Sequence, residues 1–269
     1  MKKAALIIAA ALLLVTGLWF IAVPEGLIAD VIENSLSRDY LYLKTEGVKK
    51  GLFYNFSAGR ILLMKKGAEG SPDHPLLVFE DVRGRFEFLS LLTLGPELGF
   101  EGRMNEGVVR GLVRLTGQDT LMIKAGNIPI KGIPLFEPLG IYGDGTLSGS
   151  FLVRNNAGDL KFSVSDMRLE RASLGGIFLP LDLFHEIRGA AILGNAATEI
   201  RSFAMSGTGI YARVKGSIGG SGMNLSLEVM TDPSFSAEPL FQLVLERYRV
   251  SPGYAVIPLK GVIPQSKGE

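Results

Sequence analysis

The sequence predicts a mainly β fold: an elongated, curved antiparallel sheet of repeated hairpin units with short amphipathic helices, preceded by one N-terminal transmembrane helix. Three observations predict it. Residues Ile210 to Val229 alternate apolar and polar with a period of two around a Gly-rich turn, the signature of a half-buried antiparallel hairpin. Helix-like segments begin near Leu89, Leu135, Leu181 and Leu240, at steps of 46, 46 and 59 residues, and strand patterns separate them. Regular spacing of one supersecondary unit suggests stacked repeats that each bury a face on the next. Finally, Lys2 and Lys3 precede an uncharged apolar run from Ala4 to Val23.

That run is the first element. Twenty helical residues at about 1.5 Å each span the ~30 Å hydrocarbon core of a bilayer. The positive end is expected to remain cytoplasmic, which places the chain after Pro24 outside the bacterial inner membrane. A cleaved signal peptide is the rival, but Trp19-Phe20-Ile21 stands where small cleavage-site residues belong. The expected division is a cytoplasmic tip and anchor over 1–23, a helical linker over 24–45, a repeated periplasmic β domain over 46–264 and a disordered tail over 265–269.

Within the linker, Pro24 to Tyr40 has the spacing of a short amphipathic helix, with Leu27, Ile28, Val31, Ile32 and Leu36 on one side and Asp30, Glu33 and Asn34 opposite. It is expected to pack on the first strands. A helix resting on the membrane surface is the other reading, weakened by the lack of a basic polar face.

Leu41 to Lys66 carries alternating fragments broken by Gly47, Gly51 and Gly59, and Gly67 to Pro75 is a Gly- and Pro-rich surface loop. Leu76 to Phe88 returns to strand. Gly-punctuated strand patterns follow the first three helix-like segments, and YAVIPLKGVI closes the chain as a single strand.

Composition excludes several function classes. The 269 residues carry a net charge of +1 and no basic stripe interleaved with aromatics, which argues against nucleic acid. Cysteine is absent, so disulfides, Cys-ligated zinc and thiol catalysis are excluded. Thirty-four glycines and one tryptophan suit many short strands and tight turns.

Catalytic signatures are missing. The histidines are His74, in the loop, and His185, expected as a residue of the amphipathic helix-like segment Leu181–Ile187 rather than as a ligand. No HExxH, GxSxG or Walker A string occurs. Gly207-Thr-Gly209-Ile-Tyr-Ala212 matches a GxGxxA string but opens an alternating strand where a dinucleotide site needs a helix. Glu80, Asp81, Glu186 and Glu199 read as solvated strand ends. The tetrapeptides Asp81-Val-Arg-Gly84 and Glu186-Ile-Arg-Gly189 resemble one another, for which chance or a shared strand-edge turn is a better account than a paired binding motif. No catalytic, cofactor-binding or metal residue is assigned.

The apolar strand faces remain. Val109, Val113, Leu115, Leu160, Phe162, Val164, Ile210, Val214, Leu225 and Leu227 are either core or the lining of an apolar groove. A single sheet must bury its apolar face against something, and short helices offer limited cover.

LLVFEDVRGRFEFLSLLTL at Leu76 to Leu94, SFAMSGTGIYARVKGSIGGSGMNLSLEV at Ser202 to Val229 and IPLKGVI at Ile257 to Ile263 resemble the type II secretion system protein N family of bacterial envelopes, itself similar to the AsmA-like group. The resemblance covers nearly the whole chain in pattern and order. It implies an inner-membrane-anchored periplasmic accessory of the apparatus that exports folded proteins, partnered by other secretion proteins. The AsmA-like relatives imply a β-groove that handles lipid for the outer membrane, but they are much longer, which favours the secretion-accessory expectation. A hydrolase of envelope polymers would require a convergent acid–base pair that the sequence does not advertise.

Overall fold

The computed structural model describes residues 17, 19, 21, 23–35, 41–52, 54–67, 72–86, 97–114, 120–139, 142–154, 157–170, 172–174, 177–179, 181–194, 197–219, 222–235 and 239–262. The anchor over Ala4–Val23, the helix-like segment from Leu89 and the tail over 265–269 lie wholly or mostly outside them. No helix among the described residues is long and apolar enough to cross a membrane.

The chain is mainly β and antiparallel, and it divides into two compact units. Unit 1 comprises residues 1–119 and 132–135. It holds helix α1 (Glu25–Ser35) and strands β1 (Leu41–Glu46), β2 (Lys49–Lys50), β3 (Asn55–Lys65), β4 (His74–Phe86), β5 (Glu97–Met104) and β6 (Gly107–Arg114). They pair in the order β1-β3-β4-β5-β6, with β2 on β3. Unit 2 comprises residues 120–131 and 136–269. Its strands are β7 (Thr120–Pro129), β8 (Gly143–Arg154), β9 (Ala157–Leu169), β10 (Ala172–Leu174), β11 (Ile177–Leu179), β12 (Phe184–Leu193), β13 (Ala197–Gly207), β14 (Ile210–Gly219), β15 (Gly222–Thr231), β16 (Arg249–Ser251) and β17 (Tyr254–Val262). They pair as β7-β8-β9-β12-β13-β14-β15-β17-β16, apart from a separate β10–β11 ladder. Nearly every strand therefore lies beside its sequence neighbour.

Turn chemistry explains this meander. Gly209, at φ 72°, closes β13 onto β14, and Pro252-Gly253 closes β16 onto β17 with Gly253 at φ 71°. Pro followed by a left-handed Gly is the type II preference. Bulges add twist. Asp81, Asn127 and Asp166 adopt left-handed φ of 49°, 54° and 52°, each within a register shift of its strand. Asp and Asn tolerate this region best among residues with a side chain. Asp81 and Asn127 stand 46 residues apart, the same step as the first helix-like segments.

Most of the predicted strands form as their patterning requires, but the helix-like segments are shorter. Among the described residues, Pro134–Leu139 and Leu181–Leu183 are 3-10 turns, and Pro239–Arg247 forms an α-helix, α2. The Leu181–Ile187 segment corrects the expectation for His185. The helical part ends at Leu183, and Phe184 to Ile187 already belong to β12, with His185 on its exposed face. Phe184 and Ile187 are buried on either side of a bulge, so the three-residue apolar spacing comes from a strand irregularity. In α1, Ile28 is buried and Ile32 packs beside it, whereas Leu27 and Val31 face outward. The stripe is therefore narrower than the spacing predicts, and Leu36 lies outside the described residues.

Unit 2 buries its core where the sheet meets its covering elements. Ile130, Val164, Ile187, Met205, Ala212 and Val229 are buried together, with Phe235, Phe241, Leu245 and Tyr248 packed against them. The opposite face carries Lys161, Arg188, Arg213, Lys215 and Glu228.

Candidate functional site

Two rows of glycine alternating with phenylalanine run across the strands, one in each unit. In unit 1, Phe56, Gly84, Phe100 and Gly111 are successive cross-strand partners on β3, β4, β5 and β6. In unit 2, Gly149, Phe162, Gly189 and Phe203 do the same on β8, β9, β12 and β13, and the row continues as Val214, Leu227 and Ile257. The rings of Phe56, Phe100 and Phe162 each fold over a neighbouring glycine. A Cβ at Gly84 would lie 2.1 Å from the Phe56 ring, one at Gly111 2.0 Å from Phe100, and one at Gly189 2.2 Å from Phe162. The ring fills the space that the missing side chain leaves.

These rows give the two similar tetrapeptides a common basis. Gly84 and Gly189 each end an Arg-Gly pair and lie beneath a Phe, and in each strand a bulge lies just upstream. Arg83 and Arg188 take the opposite, polar face. Both tetrapeptides lie within strands, and the feature they share is a glycine packed under a phenylalanine ring.

Seven of the apolar residues singled out from the sequence share one face of unit 2. Leu160, Phe162 and Val164 lie on β9, Ile210 and Val214 on β14, and Leu225 and Leu227 on β15. Val164 and Ile210 are buried in the core, and Leu225 is 8% exposed between Gly216 and Leu259. Leu160, Phe162, Val214 and Leu227 are half-buried. In unit 1, Val109 is buried opposite Gly102, and Val113 pairs with Leu98 on the same face. Leu115 lies outside the described residues.

A shallow depression of about 590 Å³ in unit 1 is bordered by Gly51, Asn55, Phe56, Gly84, Phe100 and Gly111. Its lining is mostly apolar, and the buried Oδ1 of Asn55 has no hydrogen-bond partner there. The sequence names Gly51 as a strand break and Gly84 within a tetrapeptide, and assigns none of these positions to a site. Their signal was the phenylalanines and glycines that pair across adjacent strands, which emerges only once register is known. A second hollow, about 310 Å³, lies in unit 2 between α2 and the ends of β15 and β17, with Gln242, Glu246, Arg249 and Tyr254 on its border.

Charge on the far face of unit 1 is arranged as cross-strand pairs. Arg110 Nε donates to Glu101 Oε2 at 2.8 Å, Arg114 Nε to Glu97 Oε1 at 2.7 Å, and Arg103 pairs with Asp81. All are solvent-facing, so each contributes at most about 1 kcal/mol. Tyr42 Oη donates to Asp73 Oδ2 at 2.6 Å, and the Gly67 N–H donates to Asp73 Oδ1 at 2.9 Å. The Tyr42 hydroxyl, then the Gly67 N–H, hold the Asp73 carboxyl below its usual range, and the same bond raises Tyr42. This pair ties the segment before β4 to β1, and neither residue borders a hollow. Among the described residues, no three His, Asp or Glu converge as a metal site.

Comparison of the chain with protein-family models, curated proteins and solved structures finds no match in any of the three.

Proposed function

We propose that the protein is a non-enzymatic accessory of the type II secretion apparatus, anchored in the bacterial inner membrane by Ala4–Val23 with its β units in the periplasm. In this reading an elongated, curved sheet presents docking surfaces to other secretion proteins. The resemblance of its strand blocks and chain order to the protein N family motivates the assignment. The observation that carries it against a lipid conduit is the filling of the apolar faces from within. Phe56, Phe100 and Phe162 cover their neighbouring glycines, and α2 with Phe235 closes one end of the unit 2 face. Interaction then falls to the outer surfaces. Leu243 on α2 is 67% exposed and Val250 on β16 is 65% exposed, the largest apolar exposures among the described residues of unit 2. A photo-crosslinking residue in place of Leu243, in cells, is expected to capture secretion components. Capture no different from that at an exposed polar position would refute docking there.

One observation favours a second reading, an AsmA-like lipid-handling module. The 590 Å³ depression has a mostly apolar surface edged by Phe56 and Phe100, with Arg83, Arg85, Glu101 and Arg110 also on its border, and is wide enough to take part of an acyl chain. A crosslinker in place of Phe100 that captures lipid would support it.

A further inference from the structure

Trp19 lies inside the apolar run, yet its side chain is buried in unit 1. Its indole N–H donates to the Gly51 carbonyl at 3.1 Å. Its ring meets Tyr54 at 5.2 Å between centroids and Phe86 edge-on at 6.0 Å. Tyr54 holds its position with a left-handed φ of 61°, a strained conformation for a bulky side chain that the surrounding contacts must support. Lys50 Nζ donates to the Val23 carbonyl at 2.7 Å, and the Lys50 N–H donates to Glu25 at 3.0 Å. The end of the apolar run is therefore clamped to the sheet with no slack between them.

This clamp has a geometric consequence for a membrane-inserted chain. Ala4 to Leu18, the part of the run before the clamp, is fifteen residues and would reach about 22 Å as a helix. The hydrocarbon core is about 30 Å thick. The clamp must then sit at or below the hydrocarbon boundary and draw the adjoining end of unit 1 into the interfacial layer. That end is suited to the position. Ile21 is 87% exposed, Leu52, next to Gly51, 61%, Val31 53% and Leu27 49%. Two of the three acidic side chains of α1, Glu25 and Glu33, turn inward to the backbone N–H groups of Lys50 and Thr45, and the third, Asp30, stays exposed beside Val31.

We infer that Ile21, Leu27, Val31 and Leu52 form a rim seated in the interfacial layer of the bilayer, with Trp19 locking the anchor to the sheet. The inference rests on the membrane-anchor part of the proposed function. The occupant of the rim is lipid. Helix α1 lacks the basic face of an autonomous membrane-binding helix, so the apolar run supplies the affinity and the rim fixes the orientation.

The cysteine-free chain allows a direct test. Full-length variants Leu27→Cys, Val31→Cys, Leu52→Cys and, as reference, Val250→Cys are labelled with an environment-sensitive fluorophore and reconstituted in phosphatidylcholine–phosphatidylglycerol vesicles. Flotation reports insertion separately. The expected result is flotation, with quenching by headgroup-level spin-labelled lipid several-fold stronger at positions 27, 31 and 52 than at 250. Floating protein whose three rim labels are quenched no more than the reference overturns the rim and leaves the anchor standing. Labels shielded from both lipid and aqueous quenchers mean a protein contact and also overturn it. Failure to float removes the anchor, and the rim with it.

Discussion

Gly84 lies directly opposite Phe56, and the Phe56 ring occupies the space that any side chain at 84 would need. The same relationship joins Gly189 to Phe162 and Gly111 to Phe100. Glycine in a strand weakens it, because it loses backbone entropy and packs nothing; an aromatic neighbour folded over it recovers the packing. The glycine content of this chain is thus partly a packing choice made jointly with its phenylalanines.

Replacing the glycine tests that pairing. Gly84→Ala is expected to destabilise the protein by about 1–3 kcal/mol, the usual cost of overpacking, measured by urea unfolding. In a Phe56→Leu background the same substitution should cost less, because the obstructing ring is gone. Equal costs in the two backgrounds would mean that the ring does not set the constraint.

Trp19 is the sole tryptophan, so its emission reports the clamp without labelling. Trp19→Ala should cost about 3–5 kcal/mol as a large buried aromatic, and Trp19→Phe roughly 1 kcal/mol for the lost hydrogen bond. Native emission is expected to be poorly quenched by aqueous iodide. Free access of iodide in the folded protein would contradict the burial.

The Tyr42–Asp73 bond carries a pH signature. Asp73 has a depressed pKa in the folded chain, so its contribution is present above the unfolded carboxylate pKa and is lost as pH falls through the folded value. Tyr42 is raised, so its contribution is present below the unfolded tyrosine pKa and is lost as pH rises through the folded one. NMR titration of the Asp73 carboxyl should move toward the ordinary range in Tyr42→Phe. An unchanged titration would assign the shift to the Gly67 N–H and the nearby Lys66 and His74 instead.

Pro258 guards an edge. Val256 N–H donates away from β15 to the Tyr248 carbonyl at 3.0 Å, and Pro258, two residues on, has the same orientation but no N–H to offer. Proline and charge on an exposed edge oppose pairing with another chain, and Lys260 follows at the next outward position. Pro258→Thr is expected to promote concentration-dependent self-association, seen by sedimentation. A strictly monomer-like profile matching the native chain would show that the proline is not the barrier.

Local patterning carried the strands and missed the pairings. The β14–β15 hairpin was readable from alternation because one face is apolar, the other is charged, and Gly219 pairs with Gly222 across the turn. His185 was misplaced because a bulge in β12 imitates helical spacing over Leu181 to Ile187. Leu27 and Val31 satisfy the apolar stripe of α1 on paper, but the sheet accepts only Ile28 and Ile32. The Gly–Phe rows join residues tens of positions apart, such as Phe56 with Gly84, and no local period encodes that register. Trp19 was counted with the apolar run because hydropathy alone does not distinguish a lipid-facing ring from one clamped to a sheet.

The account stands most directly on whether the unit 2 apolar face is closed by its own side chains. A photo-crosslinking residue in place of Leu227, half-buried in the row that continues from Phe162 and Phe203, reports what reaches that face in living cells. The account predicts no lipid adduct at 227 while position 243 captures protein. A lipid adduct at 227 would contradict it and make the face a lipid-binding groove.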